Sequence, residues 1–151
     1  MWRVFRPEDD RAIVSMCLAL NAEDPGPAPV PASQVLQTLA ELRVHPARGR
    51  ALVCETEGSV TAYALLISFW YNELGGEVCT IDELFVLPEY RGRGVSTSLF
   101  EKLIQGDQSL WPGRPAALAL EVSPRNRARA LYERLGFEGE NLALRRPLKA
   151  L

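Results

Sequence analysis

Hydrophobic and polar positions follow two different periods along this chain. Alternating or β-branched runs predict strands at residues 2–5, 50–55, 59–69, 80–86, 117–122 and 142–146. Apolar positions with helical spacing predict four helices. The first begins at residues 7–10, the second and third run over 33–42 and 96–104, and the fourth contains Tyr132. This order predicts an α+β fold with one mixed twisted sheet flanked by about four helices.

The connections between these elements are short except for one. Residues 21–31 carry four prolines and predict a stiff loop, because proline lacks the N–H that helix and sheet interiors use. Glu57-Gly58 and Gly75-Gly76 predict the turns of an antiparallel meander. No repeat or shift in composition divides the chain, so we expect a single domain over residues 1–151.

Composition and charge argue against several classes of protein. A net charge of −2 disfavours nucleic-acid binding, which depends on a surplus of basic residues. Cys17, Cys54 and Cys79 are odd in number and widely spaced, as is typical of reduced core thiols, and the single His45 cannot make a zinc site. The N-terminus lacks a signal-peptide core, and no apolar run is long enough to span a membrane. We therefore expect a cytoplasmic protein with no metal and no membrane partner.

The segment that follows the 80–86 strand carries the most chemistry. Behind Pro88, residues 91–94 are Arg-Gly-Arg-Gly and lead into a predicted helix. The first N–H groups of a helix attract anions, glycine lets the backbone approach a phosphate, and arginine adds positive charge. The pattern predicts a phosphate or pyrophosphate site; a basic connection that binds nothing is the simpler alternative. Neither the nucleoside-triphosphate loop nor the dinucleotide fingerprint matches.

A second segment, residues 123–137, predicts a helix with a tyrosine on its apolar face. Ser123-Pro124 suits its start and Gly136 its end, and Tyr132 shares a face with Leu135. Taken alone, Tyr132 is best interpreted as a core aromatic whose hydroxyl finds a neighbour. Next to a cofactor site it becomes a candidate catalytic residue.

These two segments resemble the two motifs of the GNAT superfamily of N-acetyltransferases. The central motif, Arg/Gln-x-x-Gly-x-Gly/Ala, is matched by Arg91, Gly94 and Ser96, with serine in place of the usual glycine or alanine. The second motif, an Asn, then Ala, then Leu-Tyr closing on Gly-Phe, is matched by residues 126–137. Asn126 lies one residue closer to Tyr132 than the family usually has it, so that Arg125 holds the customary Asn position.

The resemblance implies a GNAT-like acyl-CoA N-acyltransferase fold and direct attack of an amine on the thioester of acetyl-CoA. It implies that Tyr132 protonates the departing thiolate and that Asn126 contacts the cofactor. The remaining cofactor contacts that it implies are the strand backbone of Leu84, Phe85 and Val86 and the turn and first helical residues Arg91, Gly92, Arg93, Gly94, Val95, Ser96 and Thr97.

An attacking amine must first lose a proton, which costs roughly 4 to 5 kcal/mol at neutral pH for an alkylammonium with a pKa of about 10.4. Asp82 and Glu83 are the candidate bases on the strand, and alternation directs only one of them into the cleft. The acidic pair and the residues after it resemble the polyamine acetyltransferases of the superfamily, and that match favours Asp82, with Glu83 as the alternative.

Trp70, Tyr71 and Glu73 are candidate substrate-binding residues, since aromatic rings and carboxylates attract cationic amines. We therefore predict an acetyl-CoA-dependent N-acetyltransferase that favours a small cationic amine or polyamine. A protein lysine or N-terminus is the alternative substrate, and an acyl-CoA-binding sensor without turnover is the alternative class. The resemblance is also compatible with a homodimer.

Overall fold

The computed structural model describes residues 1–139 and Arg146. The elements, in chain order, are β1 Trp2–Val4, α1 Asp10–Glu23, α2 Ala32–Val44, β2 Gly49–Thr56, β3 Ser59–Tyr71, β4 Gly76–Val86, α3 Val95–Gln105, β5 Ala117–Leu120 and α4 Arg129–Arg134. Single turns of 3-10 helix lie at Pro7–Asp9, Pro46–Arg48 and Pro88–Tyr90. The α+β fold predicted from the sequence is confirmed, whereas the strand predicted at residues 142–146 falls outside the described residues apart from Arg146.

The first two helices differ from the prediction at the proline-rich loop. Helix α1 continues to Glu23, and Asp24 leaves the helical conformation because the following Pro25 disfavours it there. Helix α2 begins at Ala32, one residue before the predicted range of 33–42, and an extended Pro31 precedes it. The irregular loop is therefore residues 24–31.

Helix α4 is shorter than predicted. Residues 124–128 form turns instead of the expected helical start at Ser123-Pro124, and the helix begins only at Arg129. The Asn126 carboxamide accepts the Ala128 N–H at 2.8 Å, a local hydrogen bond that competes with helix formation. Gly136 follows the helix with a φ of 88°, as the sequence predicted for its end.

The sheet has the strand order β1-β2-β3-β4-β5. The first four strands pair antiparallel, and β5 pairs parallel with β4, which makes the sheet mixed. The β4–β5 ladder runs only from Val78 paired with Ala117 to Ile81 paired with Leu120. Beyond Ile81, this edge of β4 has no strand partner among the described residues, so its backbone polar groups make no ladder bonds there, and the Val86 carbonyl instead accepts from Arg91.

Helices cover both faces of the sheet. One core joins α1 and α2 to the sheet residues Ala51, Val53, Tyr63, Leu65 and Phe85. The other core joins α3 to Leu52, Ala62, Ala64, Leu66, Cys79, Ile81 and Val86, and Tyr132 of α4 packs against it. The two faces of β4 therefore meet different helices, and the side of the sheet on which a β4 side chain lies decides its neighbours.

At Gly49 the backbone of β3 leaves no room for a side chain on β2. A Cβ atom there would lie 2.1 Å from the Leu66 carbonyl oxygen and 2.9 Å from the Ile67 Cα, both backbone atoms of β3. We expect Gly49→Ala to lower the free energy of unfolding by about 2–4 kcal/mol, because the strands must separate. Urea unfolding measures this. The control is Gly58→Ala, which also has a positive φ but meets no atom within 4 Å; equal losses in the two variants would contradict the prediction.

Candidate active site

The turn between β4 and α3 forms an open cradle of backbone groups. Gly92 and Gly94 have φ angles of 71° and 77°, and a Cβ atom at either residue would meet nothing within 4 Å. The first helical hydrogen bond of α3 runs from the Ser98 N–H to the Gly94 carbonyl at 2.9 Å. The N–H groups of Val95, Ser96 and Thr97 come before that bond and are available to an anion.

Trp2 fixes this end of α3 against the sheet. Its indole N–H donates to the Val95 carbonyl at 3.1 Å and lies 3.2 Å from the Ser98 hydroxyl oxygen. The Ser98 hydroxyl also donates to the Val95 carbonyl at 2.7 Å. The carbonyl is thereby held on the β1 side, and the N–H groups of the first turn keep a fixed direction toward the cradle.

The two arginines of the turn have different surroundings. The Arg91 guanidinium donates to the Val86 carbonyl at 2.8 Å and makes two bonds with the Glu23 carboxylate, at 2.9 and 3.0 Å. It ties the end of α1 to the turn. The Arg93 guanidinium lies over the Tyr90 ring, 5.4 Å from its centre, and makes no ion pair with another residue of the described chain. Arg93 is therefore the freer positive charge beside the cradle.

Glu83 and Asp82 lie at a β-bulge. Leu65 of β3 pairs with Glu83 and Leu66 pairs with Ile81, so Asp82 is the extra residue of β4. The Asp82 side chain is exposed. Glu83 is partly buried on the face covered by α1. The resemblance to the polyamine acetyltransferases favoured Asp82 as the base, with Glu83 as the alternative.

The Glu83 carboxylate has two donors on one oxygen. The Tyr63 hydroxyl donates to Oε2 at 2.7 Å, and the Cys17 thiol reaches the same oxygen at 3.6 Å. Burial raises the pKa of Glu83 and the neighbouring Asp82 raises it further, while the Tyr63 and Cys17 hydrogen bonds lower it. A carboxylate with a raised pKa next to a cleft is suited to accept a proton near neutral pH.

Tyr132 lies on the opposite face of the sheet from Glu83. Its ring packs edge-on against Phe100 of α3 at 5.5 Å and near Phe137 at 6.2 Å. Burial raises the pKa of Tyr132, so the phenol is protonated at neutral pH. The unpaired edge of β4 beyond Ile81 runs between the two faces. A group that lies along this edge meets a carboxylate on one side of the sheet and a phenol on the other.

The sequence profile of the acetyltransferase (GNAT) family matches residues 14–137 of this chain. The chain belongs to this family. A curated relative, an uncharacterized N-acetyltransferase of Methanocaldococcus jannaschii, MJ1207, is 33% identical over 94 residues, which cover 57% of this chain and 38% of that protein. This GNAT chain therefore spans well under half the length of that relative.

Solved structures share the GNAT fold over nearly the whole chain. A possible acetyltransferase from Clostridium difficile 630 superimposes with a TM-score of 0.79 at 19% identity, over 100% of this chain and 98% of that one. An aminoglycoside N-acetyltransferase, AAC(6')-Iy, solved in complex with CoA, superimposes with a TM-score of 0.74 at 19% identity, over 99% of this chain and 95% of that one. At these identities the likeness shows the fold.

The GNAT motif residues lie where the cradle and the β4 edge meet, with one departure. Leu84, Phe85 and Val86 occupy the part of β4 that lacks a β5 partner, and residues 91–97 form the cradle. Asn126 instead caps the turn before α4, since its side-chain oxygen accepts the Ala128 N–H. The carboxamide NH₂ of Asn126 is the part left for a ligand.

Trp70, Tyr71 and Glu73 are not brought to this site. Trp70 pairs with Glu77 at the far end of the β3–β4 hairpin. Glu83 lies six positions after Glu77 along β4, a distance of roughly 20 Å at the rise of a strand. Within one chain, these residues therefore lie too far from Glu83 to bind the same amino group.

A cavity of about 400 Å³ lies beside α1, and Glu83 is not among the residues that line it. It lies between the second half of α1, at Leu18, Asn21 and Ala22, and residues 25–30 of the proline-rich loop. The Asn21 amide donates to the Cys17 carbonyl at 2.9 Å and lies 3.6 Å from the Cys17 sulfur, which in turn reaches Glu83. Sequence reasoning named neither Asn21 nor Tyr63 as a site residue, because no local motif marks them.

In residues 1–139 and Arg146, no group of three or more His, Cys, Asp or Glu side chains is arranged to hold a metal ion. Over the same residues, no helix combines the length and the apolar character needed to cross a bilayer.

Proposed function

We propose that this protein transfers the acetyl group of acetyl-CoA to a primary amine. The observation that carries the proposal is the continuity between an open backbone cradle at the start of α3, the unpaired edge of β4, and a partly buried carboxylate at Glu83. The cradle suits a pyrophosphate, and a strand edge suits an amide-containing arm that pairs with it. These features fit the parts of acetyl-CoA in the order in which they occur along that molecule.

Glu83 and Tyr132 divide the proton chemistry between them. Glu83, with its pKa raised by burial, accepts the proton of the amine as the nitrogen attacks the thioester carbonyl. Tyr132, protonated and next to α3, donates a proton to the departing thiolate. The bond formed is N–C and the bond broken is C–S. An ammonium substrate loses two protons: Glu83 takes the first and passes it to solvent, and the second balances the proton that Tyr132 gives to the thiolate. We favour Glu83 over Asp82, because two hydrogen-bond donors orient Glu83.

The charges and the cavity favour a small cationic amine as the acceptor. The 400 Å³ cavity is in the range of small-molecule sites and has mostly apolar walls. Three further carboxylates belong to the segments next to Glu83 and the cavity: Asp82 and Asp24 are exposed, and Glu23 lies at the end of α1. The Arg91 guanidinium neutralises Glu23, so this carboxylate contributes little to the attraction of an ammonium group. A diamine or polyamine is the expected substrate class.

We expect Tyr132→Phe to lower kcat roughly 10²-fold while the dissociation constant for acetyl-CoA stays within about twofold of wild type. The substitution removes only the proton that the thiolate receives, and the ring contacts with Phe100 and Phe137 remain. Steady-state kinetics and calorimetric titration measure the two quantities. Wild-type kcat in the variant would show that another group protonates the thiolate.

The substrate class is tested by thiol release from acetyl-CoA in the presence of diamines, polyamines, aminoglycosides, amino acids and lysine peptides. Release with diamines or polyamines supports the proposal. Release with lysine peptides alone replaces the substrate class and keeps the chemistry. Tight acetyl-CoA binding without release on any amine favours a sensor without turnover.

A further inference from the structure

Tyr63 belongs to neither GNAT motif, yet its hydroxyl makes the shorter of the two hydrogen bonds to the Glu83 carboxylate. It lies in the middle of β3, 0% exposed, and pairs with Phe85 across the ladder to β4. Its side chain is packed on the face that α1 and α2 cover. The phenol therefore has no solvent partner, and its O–H is directed at the carboxylate by the packing of the core.

Both donors to Glu83 bind the same oxygen. Tyr63 donates to Oε2 at 2.7 Å and the Cys17 thiol approaches Oε2 at 3.6 Å, while Oε1 makes no hydrogen bond with a residue of the described chain. We propose that Tyr63 is a positioning residue for acetyl transfer, which holds Glu83 by Oε2 so that Oε1 faces the attacking amine. This inference rests on the proposed role of Glu83 as the base.

The hydrogen bond from Tyr63 also affects the protonation of Glu83. The titratable groups around this carboxylate are Tyr63 on β3, Cys17 on α1 and Asp82 on β4. Burial raises the pKa of Tyr63 far above its ordinary value and raises the pKa of Cys17 to about 11, so both remain protonated donors at neutral pH. Because a donor to the charged form lowers a carboxylate pKa, removing the Tyr63 hydroxyl raises the pKa of Glu83.

Tyr63→Phe and Thr61→Val form a matched pair of variants. Tyr63→Phe removes the hydroxyl and keeps the buried ring. Thr61 lies two residues earlier on the same strand, is 1% exposed, and its hydroxyl donates to the Cys54 carbonyl at 3.3 Å. Thr61→Val therefore removes a buried hydroxyl from the same face of β3 without touching Glu83.

The test is titration of the Glu83 carboxyl by NMR in protein carrying isotope-labelled glutamate, with Glu83→Gln assigning the signal. We expect the pKa of Glu83 to rise by about one pH unit in Tyr63→Phe and to stay unchanged in Thr61→Val. The acid limb of kcat/KM should move by the same amount, with roughly tenfold lower kcat/KM on that limb.

A wild-type pKa for Glu83 in Tyr63→Phe overturns the inference. An acid limb that stays in place although the carboxyl titration moves also overturns it. If the acid limb is nevertheless lost in Glu83→Gln, the proposed role of Glu83 as the base is supported, and only the positioning role of Tyr63 fails. If Glu83→Gln retains wild-type activity, the base assignment fails, and the positioning role fails with it.

Discussion

Glu83→Gln should lower kcat for acetyl transfer by about 10²- to 10⁴-fold, the usual contribution of a positioned general base. The amide keeps the size of the side chain and its place at the bulge, but it cannot accept the proton of the attacking amine. Acetyl-CoA binding should be unaffected, because the cradle is formed by the turn and α3. Steady-state kinetics and calorimetric titration of acetyl-CoA measure the two effects.

The pH dependence of kcat/KM identifies Glu83 as the base, whatever the size of the loss in kcat. Burial raises the pKa of Glu83 above the ordinary value of 4.5, so wild-type kcat/KM should fall as the pH drops through this raised value and protonates the base. Glu83→Gln should lose that limb. Asp82→Asn is the matched control at the adjacent position: it should keep most of the activity and the limb, which moves to lower pH because the Asp82 charge raises the pKa of Glu83. A limb that disappears in Asp82→Asn and survives in Glu83→Gln would show that Asp82 is the base.

Gly94→Trp should weaken acetyl-CoA binding by more than about 10²-fold. Gly94 is the N-cap of α3 with a φ of 77°, and the space into which a side chain would point is open. An indole there would fill the cradle that we assign to the pyrophosphate and would cover the first N–H groups of the helix. Calorimetric titration with acetyl-CoA measures the loss.

Gly106→Trp is the control for the strain of this substitution. Gly106 caps the other end of α3 with a φ of 79°, and a Cβ atom there also meets nothing within 4 Å. Both variants place a non-glycine residue in the left-handed region, at about 1–2 kcal/mol each. Acetyl-CoA affinity should fall only in Gly94→Trp. An equal fall in both would mean that the loss comes from a weakened helix, and it would contradict the assignment of the pyrophosphate to the cradle.

The parts of the site that the sequence predicted are those that depend on local residues. Gly92, Gly94 and the start of α3 follow from glycine conformations and helix capping, which a few adjacent residues determine. The strand before the turn follows from its β-branched and aromatic residues. The open edge of β4 does not follow in this way, since it depends on where the parallel β5 ladder ends.

The parts that the sequence did not predict depend on pairing between distant segments. The bulge at Asp82 arises in the ladder between β3 and β4, and strict alternation cannot say which of two adjacent carboxylates faces α1. The Tyr63 and Cys17 contacts join residues 20 and 66 positions away from Glu83. The distance between Trp70 and Glu83 likewise follows from the pairing of Trp70 with Glu77, which the residue types alone do not indicate.

Transfer of label from acetyl-CoA that is radiolabelled in its acetyl group to a diamine or polyamine tests the central claim most directly. The account predicts that label appears in the N-acetylated amine with wild-type protein and falls at least about 10²-fold with Glu83→Gln. Wild-type protein that binds acetyl-CoA and leaves every amine unlabelled would contradict it.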